Sequence, residues 1–273
     1  MTAQEHIALS HPAEALTELQ KEIREHPEDP KLRIFLFQLY CVLGQWPKAL
    51  VQLQVIAGID PDTQLLAQIF QPVIQCESFR QEVFSGLRTP LILGEPLDWL
   101  SWLVKANEYV AAGQFLAAAE LRTQAFEAAP VTPGTIGDKP FEWIADGDSR
   151  LGPVLELIME GKYYWVPFCR IRRIAMEPPS DLRDLVWTPA QIVWMNGGEA
   201  SGHIPTRYAG SEGSSDGTIC LARRTDWAQH PGETFIGSGQ RLLVTDAEDY
   251  PLLGVGVIDF ATETTAPPTS TQP

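Results

Sequence analysis

The stretch Phe141-Glu142-Trp143-Ile144-Ala145-Asp146-Gly147-Asp148-Ser149-Arg150-Leu151-Gly152-Pro153 divides the chain into two kinds of sequence. Before it, apolar residues recur at helical spacing. After it, short apolar runs alternate with Gly and Pro, the pattern of short strands between turns. The stretch itself holds two aromatics, three acids and an arginine beside a Pro/Gly-rich segment. That mixture predicts a joint: Trp143, Asp146, Asp148 and Arg150 are ordered and pack between the two halves. Arg150 and Arg183 lie within a few residues of Asp146, Asp148, Asp181 and Asp184, so charge-assisted pairs among them would fix the join.

Working outward on the N-terminal side, residues 30–61 fit one tetratricopeptide unit, a helix–turn–helix that cannot bury its apolar face alone. Leu36, Tyr40, Gly44, Trp46, Ala49, Leu53 and Pro61 fall at its packing positions. Gly44 permits the tight turn, small Ala49 lets the helices approach, and Pro61 has no amide hydrogen with which to continue a helix. Trp102, Tyr109, Gly113, Phe115, Ala118, Ala125 and Pro130 repeat the phase over 99–130, while Ala15, Leu19 and Pro27 fit an earlier unit. Residues 63–87 are helical by pattern.

On the C-terminal side, 131–140 reads as a linker by its turn chemistry, and 152–160 as a short helix with Pro153 in its first turn. Strands are expected at 163–167, 171–176, 185–187, 191–195, 218–221, 241–245 and 253–260, and 261–273 as a disordered tail. The predicted fold is α+β: tetratricopeptide-like repeats over 1–130, then a smaller, mainly β domain over 141–260 built as a small sheet or partly closed barrel.

Composition narrows the function classes. The 273 residues carry 20 basic and 35 acidic side chains, a net charge of −15. Such a surface repels phosphate backbones, which argues against nucleic acid. No apolar run approaches the roughly 20 residues that span a bilayer, and the N-terminus lacks a secretory leader. A cytoplasmic protein without membrane attachment is expected. Cysteines 41, 76, 169 and 220 show no metal-ligand spacing, and buried thiols are the expectation, with no metal and no other cofactor.

Catalysis has one opening. Gly213-Ser214-Ser215-Asp216-Gly217 matches the G-x-S-x-G pattern, and Asp226 and His230 would complete a serine hydrolase triad on paper. A nucleophile elbow needs a strand before its serine and a helix after it; here a polar loop precedes Ser215. The expectation is a surface loop without a nucleophile and a protein that is not an enzyme.

Several further blocks complete a pattern: Tyr163-Tyr164-Trp165-Val166-Pro167-Phe168, Asp181-Leu182-Arg183-Asp184-Leu185-Val186-Trp187, Ile204-Pro205-Thr206-Arg207-Tyr208, Ala222-Arg223-Arg224-Thr225-Asp226-Trp227 and Gly239-Gln240-Arg241. With the opening stretch, and in this order, they resemble the ImpE/TagJ family of type VI secretion accessory proteins. The resemblance implies a cytoplasmic accessory factor that binds an N-terminal helix of the small contractile-sheath subunit, with links to sheath assembly or recycling and to the ClpV ATPase. An adaptor or chaperone for an unrelated partner is the alternative.

Helical repeats hold peptides on their concave side. In tetratricopeptide geometry the groove-facing positions are Lys31, Ile34, Gln38 and Cys41, then Leu100, Leu103, Asn107 and Val110. This mainly apolar set is the expected partner-binding surface, unless the same residues pack against neighbouring helices or the β domain.

Overall fold

The computed structural model describes residues 1–59 and 63–261. The helix stop expected at Pro61 and nearly all of the expected disordered tail lie outside them. The chain begins with α1 (Ala3–Ala8), α2 (Pro12–Glu25), α3 (Pro30–Val42), α4 (Trp46–Ile59) and the long α5 (Gln64–Phe84). A two-residue strand β1 (Leu91–Ile92) precedes the pair α6 (Asp98–Ala111) and α7 (Phe115–Ala128).

Local chemistry sets these ends. Thr2 and Glu5 form a reciprocal capping box on α1. At α3, Asp29 accepts from Lys31 N at 2.8 Å, with Pro30 as first helical residue. Gly44 (φ +64°) and Gly113 (φ +73°) make the left-handed turns inside the α3–α4 and α6–α7 pairs. Ala49 and Ala118 are wholly buried where those helices cross.

The second half supplies β2 (Gly134–Ile136), β3 (Lys139–Phe141), β4 (Ile144–Asp146), β5 (Val154–Met159), β6 (Lys162–Pro167), β7 (Ile171–Met176), β8 (Trp187–Trp194) and β9 (Glu199–Pro205). One helical turn α8 (Gly217–Cys220) follows, then β10 (Thr225–His230), β11 (Thr234–Gly239), β12 (Leu242–Thr245), β13 (Asp249–Pro251) and β14 (Val257–Phe260). Nine strands form one sheet in the order β1-β6-β5-β9-β8-β7-β14-β2-β3. Its ladders are antiparallel except β1 with β6. β13-β12-β4 make a second sheet and β10-β11 an isolated hairpin.

The large sheet is covered on both faces. Along β5, Val154 and Ile158 join the core shared with the helices, whereas Leu155 and Leu157 join the core on the opposite face with Phe168, Ile174 and Phe260. Helix α5 bridges the halves: Phe70, Phe79 and Phe84 set their rings 5.9, 6.2 and 6.0 Å from those of Trp187, Tyr163 and Trp165.

Several local expectations are corrected. Residues 152–160 are not a helix; Gly152 (φ +54°) closes a turn and 154–159 form β5, buried along five of its six positions. A continuous apolar run fits a buried strand as well as a helix, and tertiary pairing decides. Residues 218–221 are not a strand but the end of α8, where Asp216 accepts from Thr218 N at 2.8 Å. The 131–140 segment is no free linker, because β2 and the start of β3 turn about Gly137 (φ +57°) and extend the large sheet. The runs 185–187 and 191–195 belong largely to one strand, β8, with Pro189 inside it. Residues 253–260 open in a 3₁₀ turn before β14 begins.

Candidate functional site

Where α5 crosses the sheet, eight ionisable side chains are buried together: Glu77, Arg80, Asp146, Asp148, Arg150, Glu156, Arg207 and Arg241. Four acids face four arginines, so the cluster is formally neutral. Glu156 is its hub. Arg80 Nε and Nη2 donate to its two oxygens at 2.6 and 3.0 Å, Tyr163 Oη donates at 2.5 Å, and Arg241 adds a further pair. Arg241 also binds Asp146. Arg80 reaches Glu77 at 3.4 Å and the Arg207 carbonyl at 2.7 Å, and Trp187 Nε1 donates to Glu77 at 2.7 Å.

The sequence places these groups for physical reasons. Glu77 and Arg80 are one turn apart on α5 and so share a face. Glu156 shares the helix-side face of β5 with Val154 and Ile158. Arg207 donates to Val42 O at 2.7 Å and to the carbonyls of Cys41 and Cys220. Its charge therefore caps the C-terminal end of α3, where unsatisfied carbonyls and the helix dipole favour a cation.

Burial opposes every charge here, and pairing decides the balance. Burial would push the Glu156 carboxyl up, but Arg80 and Arg241 outweigh it and hold it at about 2. For Asp146 burial wins over Arg241 and moves the carboxyl up to about 6. Glu77 is also raised by burial, against the pull of Arg80. Arg241 is raised because Asp146 and Glu156 outweigh its own burial.

The expected joint residues fall into place unevenly. Asp146, Asp148 and Arg150 are buried, and Arg150 binds Asp148 at 2.6 Å while its guanidinium lies 4.5 Å over the Phe84 ring of α5. Trp143 is 41% exposed; its amide, with that of Glu142, turns to Asp246 instead. Arg183 pairs with Asp181 and stacks 4.7 Å over Phe70 of α5. Among the described residues Asp184 pairs with no arginine: it accepts from the amides of Ser180 and Asp181 at 2.7 and 3.2 Å and fixes that turn.

The expected partner groove is corrected. Gln38, Cys41, Leu100, Leu103, Asn107 and Val110 are all buried. Asn107 Nδ2 donates to Val83 O of α5 at 2.8 Å, and Leu100 and Leu103 lie in the core shared with the sheet. The chain's own α5 and β half occupy the face that the repeats would offer a peptide. Only Lys31, exposed, and Ile34, partly so, stay accessible at the start of α3.

A family model described as ImpE protein matches residues 138–259, and a tetratricopeptide repeat model matches residues 6–69. The type VI secretion system accessory component TagJ of Pseudomonas aeruginosa is 44% identical over 260 residues, which cover 95% of this chain and 91% of that protein. The chain belongs to the TagJ family. A crystal structure of a Vibrio parahaemolyticus protein superposes with a TM-score of 0.88 at 25% identity, covering 96% of this chain and 98% of that one.

The ImpE match runs from the β2–β3 turn to β14, so it holds Asp146, Asp148, Arg150, Glu156, Arg207 and Arg241 but not Glu77 or Arg80. The joint of this TagJ-family chain is assembled across the edge of that match. Glu77, Arg80, Glu156, Arg207 and Arg241 escaped the sequence reading of the joint, because isolated acids and arginines usually face water. One signal was present: Glu156 stands alone inside the apolar run Val154-Leu155-Glu156-Leu157-Ile158.

The serine loop has a different geometry from a nucleophile elbow. A 3₁₀ turn, Ser211–Gly213, precedes Ser215. Asp216 caps α8 and pairs with Arg224 at 3.1 Å, Asp226 also binds Arg224, at 2.5 Å, and His230 stacks on Phe115 with centroids 4.2 Å apart. Among the described residues no hydrogen bond links Ser215 to His230 or Asp226, no group of three or more His, Cys, Asp or Glu side chains is placed to hold a metal, and no helix is long and apolar enough to cross a membrane.

Proposed function

We propose that this protein is a non-enzymatic, cytoplasmic accessory factor of a bacterial type VI secretion system. It binds a helix of the small contractile-sheath subunit and assists sheath assembly or recycling, with the ClpV ATPase as a further partner. The observation that carries the reading is the 44% identity to TagJ along nearly its whole length. The joint supports it in kind, since every buried carboxylate is engaged by arginines, backbone amides or ring N–H and O–H donors rather than aimed into a cavity. Such a site organises a scaffold.

With the inner face of the repeats filled, the sheath helix has to dock on the outer surface, which includes Lys31 and Ile34. The test is affinity capture with the tagged full-length chain from cells that carry an assembled secretion machine. Enrichment of the small sheath subunit, lost when that subunit's N-terminal helix is deleted, is the expected result. Capture without the sheath subunit, or equal capture of the truncated subunit, overturns the assignment.

A further inference from the structure

The β10–β11 hairpin has one closed edge and one open edge. Gln240 N donates to Arg224 O at 2.9 Å. With the register Thr225↔Gly239 to His230↔Thr234, the hydrogen-bonded pairs are 226/238, 228/236 and 230/234. The backbone groups of residues 225, 227 and 229 on β10, and of 235, 237 and 239 on β11, therefore point outward.

On β11 all of these groups except the Gly237 carbonyl are taken. Phe235 exchanges bonds with Ser149, its O accepting from Ser149 N and its N donating to Ser149 Oγ, both at 2.9 Å. Gly237 N donates to Asp148 at 2.9 Å, Gly239 N donates to Ser211 Oγ at 2.8 Å, and Gly239 O accepts from Tyr208 N at 3.0 Å. On β10 no described residue takes the outward groups of Trp227 or Gln229.

Long open edges are a hazard that folded proteins blunt by shortness, Pro or Lys. The other sheet edges here follow that rule. β1 has two residues, β4 three, β3 three with Pro140, and β13 three ending in Pro251. β10 has six residues and no Pro, Lys or Arg, and its middle four are exposed.

We infer that β10 pairs antiparallel with β10 of a second copy, about a twofold axis at Ala228, and so joins two hairpins into a four-stranded sheet. Three observations select this occupant. First, residues 223–239 hold Arg223 and Arg224 against Asp226 and Glu233, so the hairpin is locally neutral in a chain of charge −15. An equally acidic second copy meets the least repulsion here. Second, an axis at Ala228 matches the outward groups of Trp227 with those of Gln229 of the partner subunit and sets Asp226 opposite His230 of the partner subunit. An axis at Trp227 sets Asp226 opposite Ala228 of the partner subunit, and an axis at Gln229 sets it opposite Gly232 of the partner subunit, so neither offers the carboxylate a side-chain hydrogen-bond donor. Third, Trp227 and Phe235 share one face as diagonal neighbours, each more than a third exposed. The pairing brings Trp227 of the partner subunit opposite Gln229 and diagonal to Trp227, so the two tryptophans cover each other across the axis.

The test is sedimentation equilibrium of the full chain as wild type, Gln229→Pro and Gln229→Lys. The Gln229 amide points away from β11, so proline there leaves the hairpin ladder whole. A wild-type dimer is expected, with both variants monomeric and their circular dichroism melts unchanged. Amide exchange at Trp227 and Gln229 should be slow in the wild type and fast in Gln229→Lys. Should Gln229→Pro fail to fold, Gln229→Lys decides. A wild type that is monomeric over its soluble range, or a dimer that survives Gln229→Lys, overturns the inference. So does a monomer whose β10 amides become protected only when the small sheath subunit is added, since the edge then serves a partner strand. None of these outcomes bears on whether the sheath subunit is captured elsewhere.

Discussion

The α6–α7 pair and the joint around Glu156 are both buried, yet they are held together in opposite ways. The helical pair closes over Ala106, Val110 and Ala118 through a single glycine turn, using residues close in sequence. The joint brings Arg80 to Glu156 and Arg241 to Asp146, 76 and 95 residues apart, through groups that burial alone would expel. Apolar packing is non-directional and tolerates substitution of similar volume. A buried charge cluster adds little net stability, but removing one member leaves the others uncompensated. The difference separates what makes each half compact from what fixes how the halves meet.

The largest effect should come from carrying charge into the apolar region: Leu103→Asp, at a wholly buried position, costs more than about 4 kcal/mol and abolishes soluble expression. Arg241→Met comes next. It strands Asp146 and Glu156 and should cost about 3–5 kcal/mol in denaturant titration. Trp187→Phe keeps the ring against Phe70 but deletes the donor to Glu77, for a loss of about 1–3 kcal/mol. Gly113→Ala meets open space but keeps φ +73°, so only backbone strain is felt, about 1–2 kcal/mol.

The smallest effect distinguishes the two joint carboxylates by pH. Asp146 sits at about 6 when folded, against 3.8 for an ordinary aspartate. Between those values the folded chain binds the proton more tightly, so this site adds stability as pH falls from about 6 towards 3.8. Glu156, held at about 2 against 4.5, acts the other way: its contribution is full above 4.5 and is lost as pH falls through 2. Asp146→Asn mimics the protonated form, and its stability profile from pH 7 to 4 should rise less than that of the wild type, the remainder coming from Glu77. An identical rise in both proteins would remove Asp146 from the account.

The helical half was legible because its signals are local. Gly44, Ala49, Gly113 and Ala118 state turn and crossing directly, and the helices form where that spacing put them. The joint was half legible: Asp146, Asp148 and Arg150 stand within five residues of each other, whereas Glu77, Arg80 and Glu156 are scattered and look like surface charges until the fold brings them together. The misread 152–160 segment failed for a related reason. An apolar run that pairs on both sides carries no period to tell strand from helix, and its one polar residue faces the joint rather than water. The expected partner groove failed because repeat geometry predicts a concave face without saying what fills it; here α5 and the sheet do.

The central claim is that the buried charge cluster makes the helical and β halves one cooperative unit. Equilibrium unfolding of the full chain in guanidinium, followed at once by helical circular dichroism and by tryptophan fluorescence, tests it most directly, because Trp187 sits at the joint and five of the eight tryptophans follow residue 140. Coincident transitions in the wild type that separate into two in Arg241→Met are the predicted result. Two separate wild-type transitions, or an Arg241→Met curve that stays single at an unchanged midpoint, would contradict it.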